Sequence, residues 1–593
     1  MLKTIPEYAI LADTLKAGRS AAVTGVGQIN RSHMIAGLSK DLQKPFAIVC
    51  QDDMTARRIQ EELKCFLGLT APILPGRDLT FYDAAVASKT WEQKRLRQLR
   101  DWSSGAVPIQ ILTWESLSLR TMPWDVLQKA SFTLEVGQEY SLDDLASRLT
   151  AAGYSRCGMV EGPGQFAFRG GIADIFSPGE DRPVRLEFFG DELDTMGYFD
   201  PDTQRRSDNV DKIQILPVSE ALPGMHPKGI AGMEKDLQTL ISRQRRRKHP
   251  NELLIETLTK DLEKLRSGLH NSAWDRYLAL MYPEMACAAD FAPKDCVWVL
   301  CDHANLSRAA RTRTDEMGLQ LDSLLNGGQV AGELCDFVIQ WEDFTKRLRG
   351  KSIAYFDTFG GSAYPEENPP SQLLPVTAKQ LPSYGGNLDA AVSDMSHYQK
   401  MQFGTLVLCG TRHRAELMQQ MLREKGLSAF LAIPLSTLPK PEQILLTDGT
   451  LPYGMEYPLS KLAVLTEGQL IAKTAPRRKA PATKKSATNR QKLNAFTDLT
   501  PGDLVVHENY GIGRFVAMEQ IKVGSAVKDY IKIAYQGSDT LFVPATQLDL
   551  VSKYIGGGED ANIRLNKIGS DAWQKTKAKA RKAAKDMAGE LIQ

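Results

Sequence analysis

No run of 18 apolar residues occurs in this 593-residue chain, which excludes a helical membrane span. The N-terminus, Met1-Leu-Lys-Thr-Ile-Pro-Glu7, lacks the basic-then-apolar order of a signal peptide, so the expected location is cytoplasmic. The eight cysteines never form a C-x-x-C. Most sit in apolar runs such as Ala47-Ile-Val-Cys50 and Val297-Trp-Val-Leu-Cys301, as buried small hydrophobes do in a reducing compartment. Cys296, Cys301 and His303 are near neighbours, but their spacing matches no zinc motif and no metal is expected. There is no G-x-S-x-G, no H-E-x-x-H and no intact G-x-x-x-x-G-K-[ST]. His33, His303, His413 and His507 are scattered, and no pair of carboxylates stands at a catalytic spacing. No catalytic residue is assigned; by itself the chain reads as a binding scaffold. A net charge of +2 says nothing about nucleic acid, although the distribution of charge does.

What is present divides along the chain, whose length allows about four domains. Residues 1–120 alternate short β-rich runs with amphipathic helices, implying a layered α/β unit with a parallel sheet. Phe46–Cys50 and Ile109–Thr113 are expected strands. Asp52 or Asp53 is expected to cap a helix with Ile59, Leu63 and Phe66 on one face. The unit opens where a phosphate loop would sit, at Ala22-Val-Thr-Gly-Val-Gly-Gln-Ile-Asn-Arg31. Gly25 and Gly27 remain, but Gln28 stands in place of the lysine and Ile29 in place of the hydroxyl. This reads as a turn that does not bind nucleotide.

Residues 121–217 are β-rich, and 218–345 return to helical periodicity around the strand Val297–Cys301. The basic run Arg243-Gln-Arg-Arg-Arg-Lys248 is expected as a solvated helix end, with a phosphate site as the alternative. Residues 346–470 again read as α/β. Strands are expected at Thr405–Cys409 and Ala463–Glu467. The helix from Thr411 carries Leu417, Met418, Met421 and Leu422 on its apolar face, with Gly426 past its end. Residues 471–495 form a basic linker; Lys473 to Lys492 holds eight basic residues and no acidic ones. It is expected either to graze DNA phosphates or to act only as a solvated tether. Residues 496–560 place several short strands around Gly511, Gly513 and the turn Gln536–Asp539, as in a small SH3-type barrel. Residues 561–593 contain a lysine- and arginine-rich helix from Ser570 or Asp571. The chain stops at Gln593 with that helix still running, which suggests a fragment.

The most informative stretch is Phe166-Ala-Phe-Arg-Gly-Gly-Ile-Ala-Asp-Ile-Phe-Ser-Pro178, followed by Arg182 to Glu192 and Phe199-Asp-Pro-Asp-Thr-Gln-Arg205. Its period-2 pattern puts Val184, Leu186 and Phe188 on one face and Arg185, Glu187 and Phe189 on the other. An outward face with an arginine and a phenylalanine suits docking. Gly170-Gly171 supplies a tight turn.

This stretch closely resembles the module shared by the excinuclease protein UvrB and the bacterial transcription-repair coupling factor. Arg77-Asp-Leu-Thr-Phe-Tyr-Asp83 with Arg95, and Gly449-Thr-Leu-Pro-Tyr-Gly-Met-Glu-Tyr-Pro458, extend the match. Val506-His-Glu-Asn-Tyr-Gly-Ile-Gly-Arg514 and Val543-Pro544 resemble the polymerase-interacting domain shared with CarD regulators. UvrB has no such domain, so the combination favours the N-terminal part of the coupling-factor family. The resemblance implies a multidomain α/β protein. In it, a degenerate excinuclease-B/helicase-like module carries an inserted β-rich domain. A second α/β domain, an SH3-like barrel and a basic helix follow.

It also implies roles. Arg169, Arg185 and Phe189 would contact the excinuclease protein UvrA. The alternatives are that Arg169 braces the Gly170-Gly171 turn and that Phe189 is core. Strand 514–522 would pair with the RNA polymerase β subunit through Arg514 and Ile521, unless Ile521 belongs to the barrel core. ATP and Mg would belong to the translocase of full-length members, which this chain lacks, and DNA would be held non-specifically, mainly there. No cofactor is expected in this chain. Two other functions compete: a transcription regulator acting through the barrel alone, and a catalytic segment of an ATP-dependent DNA translocase.

Overall fold

The computed structural model describes residues 2–77, 79–81, 90–201, 203–268, 271–360, 363–385, 387–470, 490–492, 501–507, 510–523, 526–537, 539–544, 551–554 and 565–566. The expected linker and basic helix lie almost wholly outside the described residues.

The fold is a mixed α/β architecture with several sheets. Among the described residues the largest has eleven strands, and the apolar runs form part of it. All five residues of Phe46–Cys50, of Ile109–Thr113 and of Val297–Cys301 are buried. Such uninterrupted burial requires cover on both faces, the usual setting of parallel strands. The first half runs 21–26, 352–357, 297–301, 46–50, 109–113, all parallel. Asp52 caps the helix Asp53–Leu67 by accepting the Thr55 N–H at 2.7 Å, with Ile59 and Leu63 buried beneath it.

The boundary expected at 346 is crossed by this sheet. Strand Ser352–Asp357 lies between 21–26 and 297–301, inside the first unit. Strand Gln372–Gln380 then runs parallel to 21–26 on one side and antiparallel to 455–457 on the other. It thereby joins the two α/β units into one sheet. Periodicity alone does not show this, because the pairing is non-local. Beyond it follow 462–466, 404–408, 444–447 and 429–431. Thr411 caps the helix Arg412–Glu424, and Gly426 sits past its end at φ +82°. Met418 and Leu422 are buried, whereas Leu417 faces solvent, one position too far around the helix.

A second, six-stranded sheet of 155–156, 165–169, 172–175, 184–189, 192–199 and 206–209 forms the β-rich insert. The short strands Phe132–Glu135 and Lys212–Ile215 pair antiparallel, so the insert leaves and re-enters at neighbouring points. Buried charges hold this root. Arg95 Nε lies 3.1 Å from Glu220, and Arg77 reaches Asp275 at 2.5 Å. Thr121 Oγ1 donates to Glu220, and Glu92 accepts the Glu220 N–H at 2.6 Å. Arg95 also donates to the Pro75 and Ser116 carbonyls at 2.8 and 2.7 Å.

The C-terminal unit is an antiparallel sheet in the order 490–492, 551–554, 504–507, 511–523, 526–534, 540–544. Val505, Phe515, Ile531, Ile533, Leu541 and Val543 form its core. A Cβ on Gly513 would fall 2.4 Å from Ile533, so only glycine fits there. The two outermost strands are not paired with each other among the described residues.

Candidate partner-binding face

The burial of Val184–Phe189 follows the expected alternation. Val184 and Leu186 are fully buried, Arg185 and Glu187 are partly covered, and Phe189 is 84% exposed. Two two-residue hairpins build the exposed end. Arg169 pairs with Ile172 across Gly170-Gly171, and Phe189 pairs with Glu192 across Gly190-Asp191. Gly170 and Gly190 take φ of +60° and +65°. A Cβ on Gly171 would stand 2.9 Å from the Phe188 carbonyl oxygen, since the neighbouring hairpin passes directly alongside.

The cross-strand register places Asp174 opposite Arg185. Asp174 is completely buried and holds both arginines. Arg185 donates to it twice, from Nε at 2.6 Å and Nη2 at 2.8 Å, and Arg169 Nη2 donates at 2.6 Å. Arg185 also donates to the Gln204 side chain at 2.9 Å and lies over the Phe199 ring at 4.5 Å. The Asp174 hydrogen bond raises the Arg185 pKa above its ordinary value. The side chain of Arg185 is 17% exposed and that of Arg169 48%. Arg169 therefore pairs with a buried carboxylate and still presents half of its surface. Beside them Arg206 Nη1 donates to Glu187 at 2.8 Å and to Thr195 at 3.0 Å.

The outcome is a stiff plate with an arginine edge and one phenylalanine standing clear of it. Partly exposed arginine and a free aromatic ring are the side-chain types that suit carboxylate and apolar contacts. Among the described residues no three histidines, cysteines or carboxylates gather as a metal site. Asp174 and Gln204 escaped sequence reasoning. Asp174 was findable in principle, since pairing 169 with 172 puts 174 on the outward face.

The degenerate loop is filled from within. The Gly27 N–H donates to the Ala378 carbonyl at 2.8 Å, and the Ile29 N–H donates to Gln380 Oε1 at 3.3 Å. A Cβ on Gly25 would meet the Val376 oxygen at 2.7 Å, and one on Gly27 the Gln380 nitrogen at 2.5 Å. Strand 372–380 thus packs directly against this turn and takes two of its N–H groups. Gln28 is exposed and accepts from Arg58 at 2.5 Å.

In the C-terminal sheet, strand Gly511–Val523 pairs with 504–507 only over residues 511–514. Its partner 526–534 runs alongside as far as Val523. From Val516 onward one edge has no strand partner among the described residues. Val516 and Met518 are exposed on this stretch. Arg514 is exposed and donates to the Gly502 carbonyl at 3.0 Å. Ile521 pairs in backbone register with Lys528, and its side chain lies outside the described residues.

Comparison with known families places each surface in a recognised type of domain. Residues 132–220 match the UvrB interaction domain, and residues 499–555 match the CarD-like/TRCF RID domain. The whole chain is similar to transcription-repair-coupling factors. It is 27% identical over 597 residues to that of Bacillus subtilis (strain 168), covering 100% of this chain and 50% of the relative. Against that of Staphylococcus haemolyticus (strain JCSC1435) the identity is 28% over 592 residues, covering 98% and 49%. The chain spans about half the length of the curated relatives it matches. The resemblance first drawn from short motifs therefore extends over the entire chain.

Proposed function

We propose that the chain is the recruiting portion of a transcription-repair coupling factor, an adaptor between stalled RNA polymerase and nucleotide excision repair. The insert holds the excinuclease protein UvrA through Arg169, Arg185 and Phe189. The C-terminal sheet, an SH3-like barrel on this reading, takes up a strand from the β subunit of RNA polymerase. That strand adds along the free edge after Arg514, with Ile521 beside it. Val516 and Met518 supply apolar contacts there. The first loop binds no nucleotide; ATP, Mg and most DNA contact belong to the remainder of such factors.

The observation that carries the proposal is Phe189. A phenylalanine 84% exposed at a hairpin tip gains nothing from folding, yet it ends the strand whose Arg185 shares one buried carboxylate with Arg169. The test is capture of purified UvrA by the chain and by its Phe189→Ala and Arg169→Ala variants. Capture lost in both establishes the face. Capture unchanged in both moves the interface elsewhere, and no capture by the parent chain overturns the proposal.

A further inference from the structure

The basic run at 243–248 has no part in either docking surface. The helix Gly229–Arg245 ends inside it, and the next helix starts at Glu252. Arg243, Arg245, Arg246, Arg247 and Lys248 are all exposed. Gln244 between them is buried and donates to both Glu333 oxygens, at 3.2 and 3.1 Å. Arg247 pairs with the same carboxylate at 2.6 Å. Glu333 thus anchors the turn and answers a single charge.

The other four cations have no acidic partner among the described residues. Elsewhere on the same helical pair Arg266 is matched with Glu234 at 2.7 Å and Lys260 with Glu256 at 2.6 Å. The helix dipole accounts for Arg243 and Arg245 in the last turn. It does not account for Arg246 and Lys248, which lie beyond the helix. Four unanswered charges in six residues repel one another, and a polyanion relieves that repulsion.

We infer that this turn contacts the phosphate backbone of a nucleic-acid duplex without regard to sequence. Three of the four free cations are arginines, whose fork matches phosphate. The turn links the helices Gly229–Arg245 and Glu252–Arg266, and its free cations are all solvent-exposed. A duplex presents one charge per roughly 1.7 Å and gains entropy by releasing counterions, so a short dense array is enough for contact.

The test is fluorescence anisotropy of a labelled duplex of mixed sequence, titrated with the full chain between 50 and 200 mM salt. The parent is compared with the R243Q/R245Q/R246Q/K248Q variant and with R477Q/R478Q/K479Q in the basic segment. The four substituted residues of the turn are exposed, and matched circular dichroism confirms folding of each variant. Neutralising the turn is expected to weaken binding at least tenfold at low salt. It should also flatten the log–log salt slope by about 3.6, near 0.9 for each of the four lost phosphate contacts. An unchanged affinity and slope overturns the inference. So does a loss confined to the 477–479 variant. Binding of polyglutamate but not duplex, lost in the turn variant, would assign the turn to an acidic protein and also overturn it.

Discussion

Arg185→Ala and Phe189→Ala alter the same face of one strand, yet the structure gives them different consequences for stability. Phe189 is almost fully solvated, so its truncation is expected to change stability by no more than about 0.5 kcal/mol. Arg185 supplies two of the three arginine hydrogen bonds that compensate the buried Asp174 carboxylate. Removing one partner of a buried ion pair costs about 3–5 kcal/mol, because the remaining charge is stranded. Arg169 stays in place and puts Arg185→Ala near 3 kcal/mol, the lower end of that range. Whole-chain melting mixes several units, so the assay is native-state hydrogen exchange read on strand amides between 165 and 199. At 1.4 kcal/mol per tenfold, Arg185→Ala should speed exchange there by about two orders of magnitude. Phe189→Ala should leave it unchanged. Equal protection in both variants would refute the idea that Asp174 depends on Arg185. Loss of protection in Phe189→Ala would refute the claim that Phe189 is free for a partner.

Gln28→Lys is expected to restore no nucleotide binding, because Ala378 and Gln380 already take the N–H groups of Gly27 and Ile29. Titration with a fluorescent ATP analogue checks this, and micromolar binding would show that strand 372–380 yields. Burial lowers the pKa of both His33 and His507 to about 4. Between about pH 6.5 and 4 the unfolded chain binds more protons than the folded one, so stability falls as pH falls. Native-state exchange on helix 28–42 and strand 504–507, corrected for intrinsic rates, should lose protection on acidification, and the loss in helix 28–42 should shrink in His33→Gln.

Much of the central sheet was legible because its strands are short, uninterrupted apolar runs. Phe46–Cys50 and Val297–Cys301 need no partner to be recognised. The face at 184–189 was legible for another reason: alternation survives in a half-buried strand. Registers and joins were less visible. Ser352–Asp357 is buried throughout, but nothing local says that it sits between 21–26 and 297–301, strands from distant parts of the chain. Asp174 looks like any acidic residue until its strand pairs with Arg185. Gly25 and Gly27 look like remnants of a phosphate loop, whereas their present constraint is the backbone of strand 372–380. Leu417 shows how one position around a helix separates core from surface.

Strands Phe132–Glu135 and Lys212–Ile215 lie side by side, so the two ends of the insert are about 4.8 Å apart. A segment with such closely spaced ends is a cassette. Evolution can splice it into a host fold, or excise it, without displacing the scaffold on either side. The same geometry makes it transplantable: grafted at a comparable strand pair in an unrelated protein, the arginine edge and its phenylalanine travel as one unit.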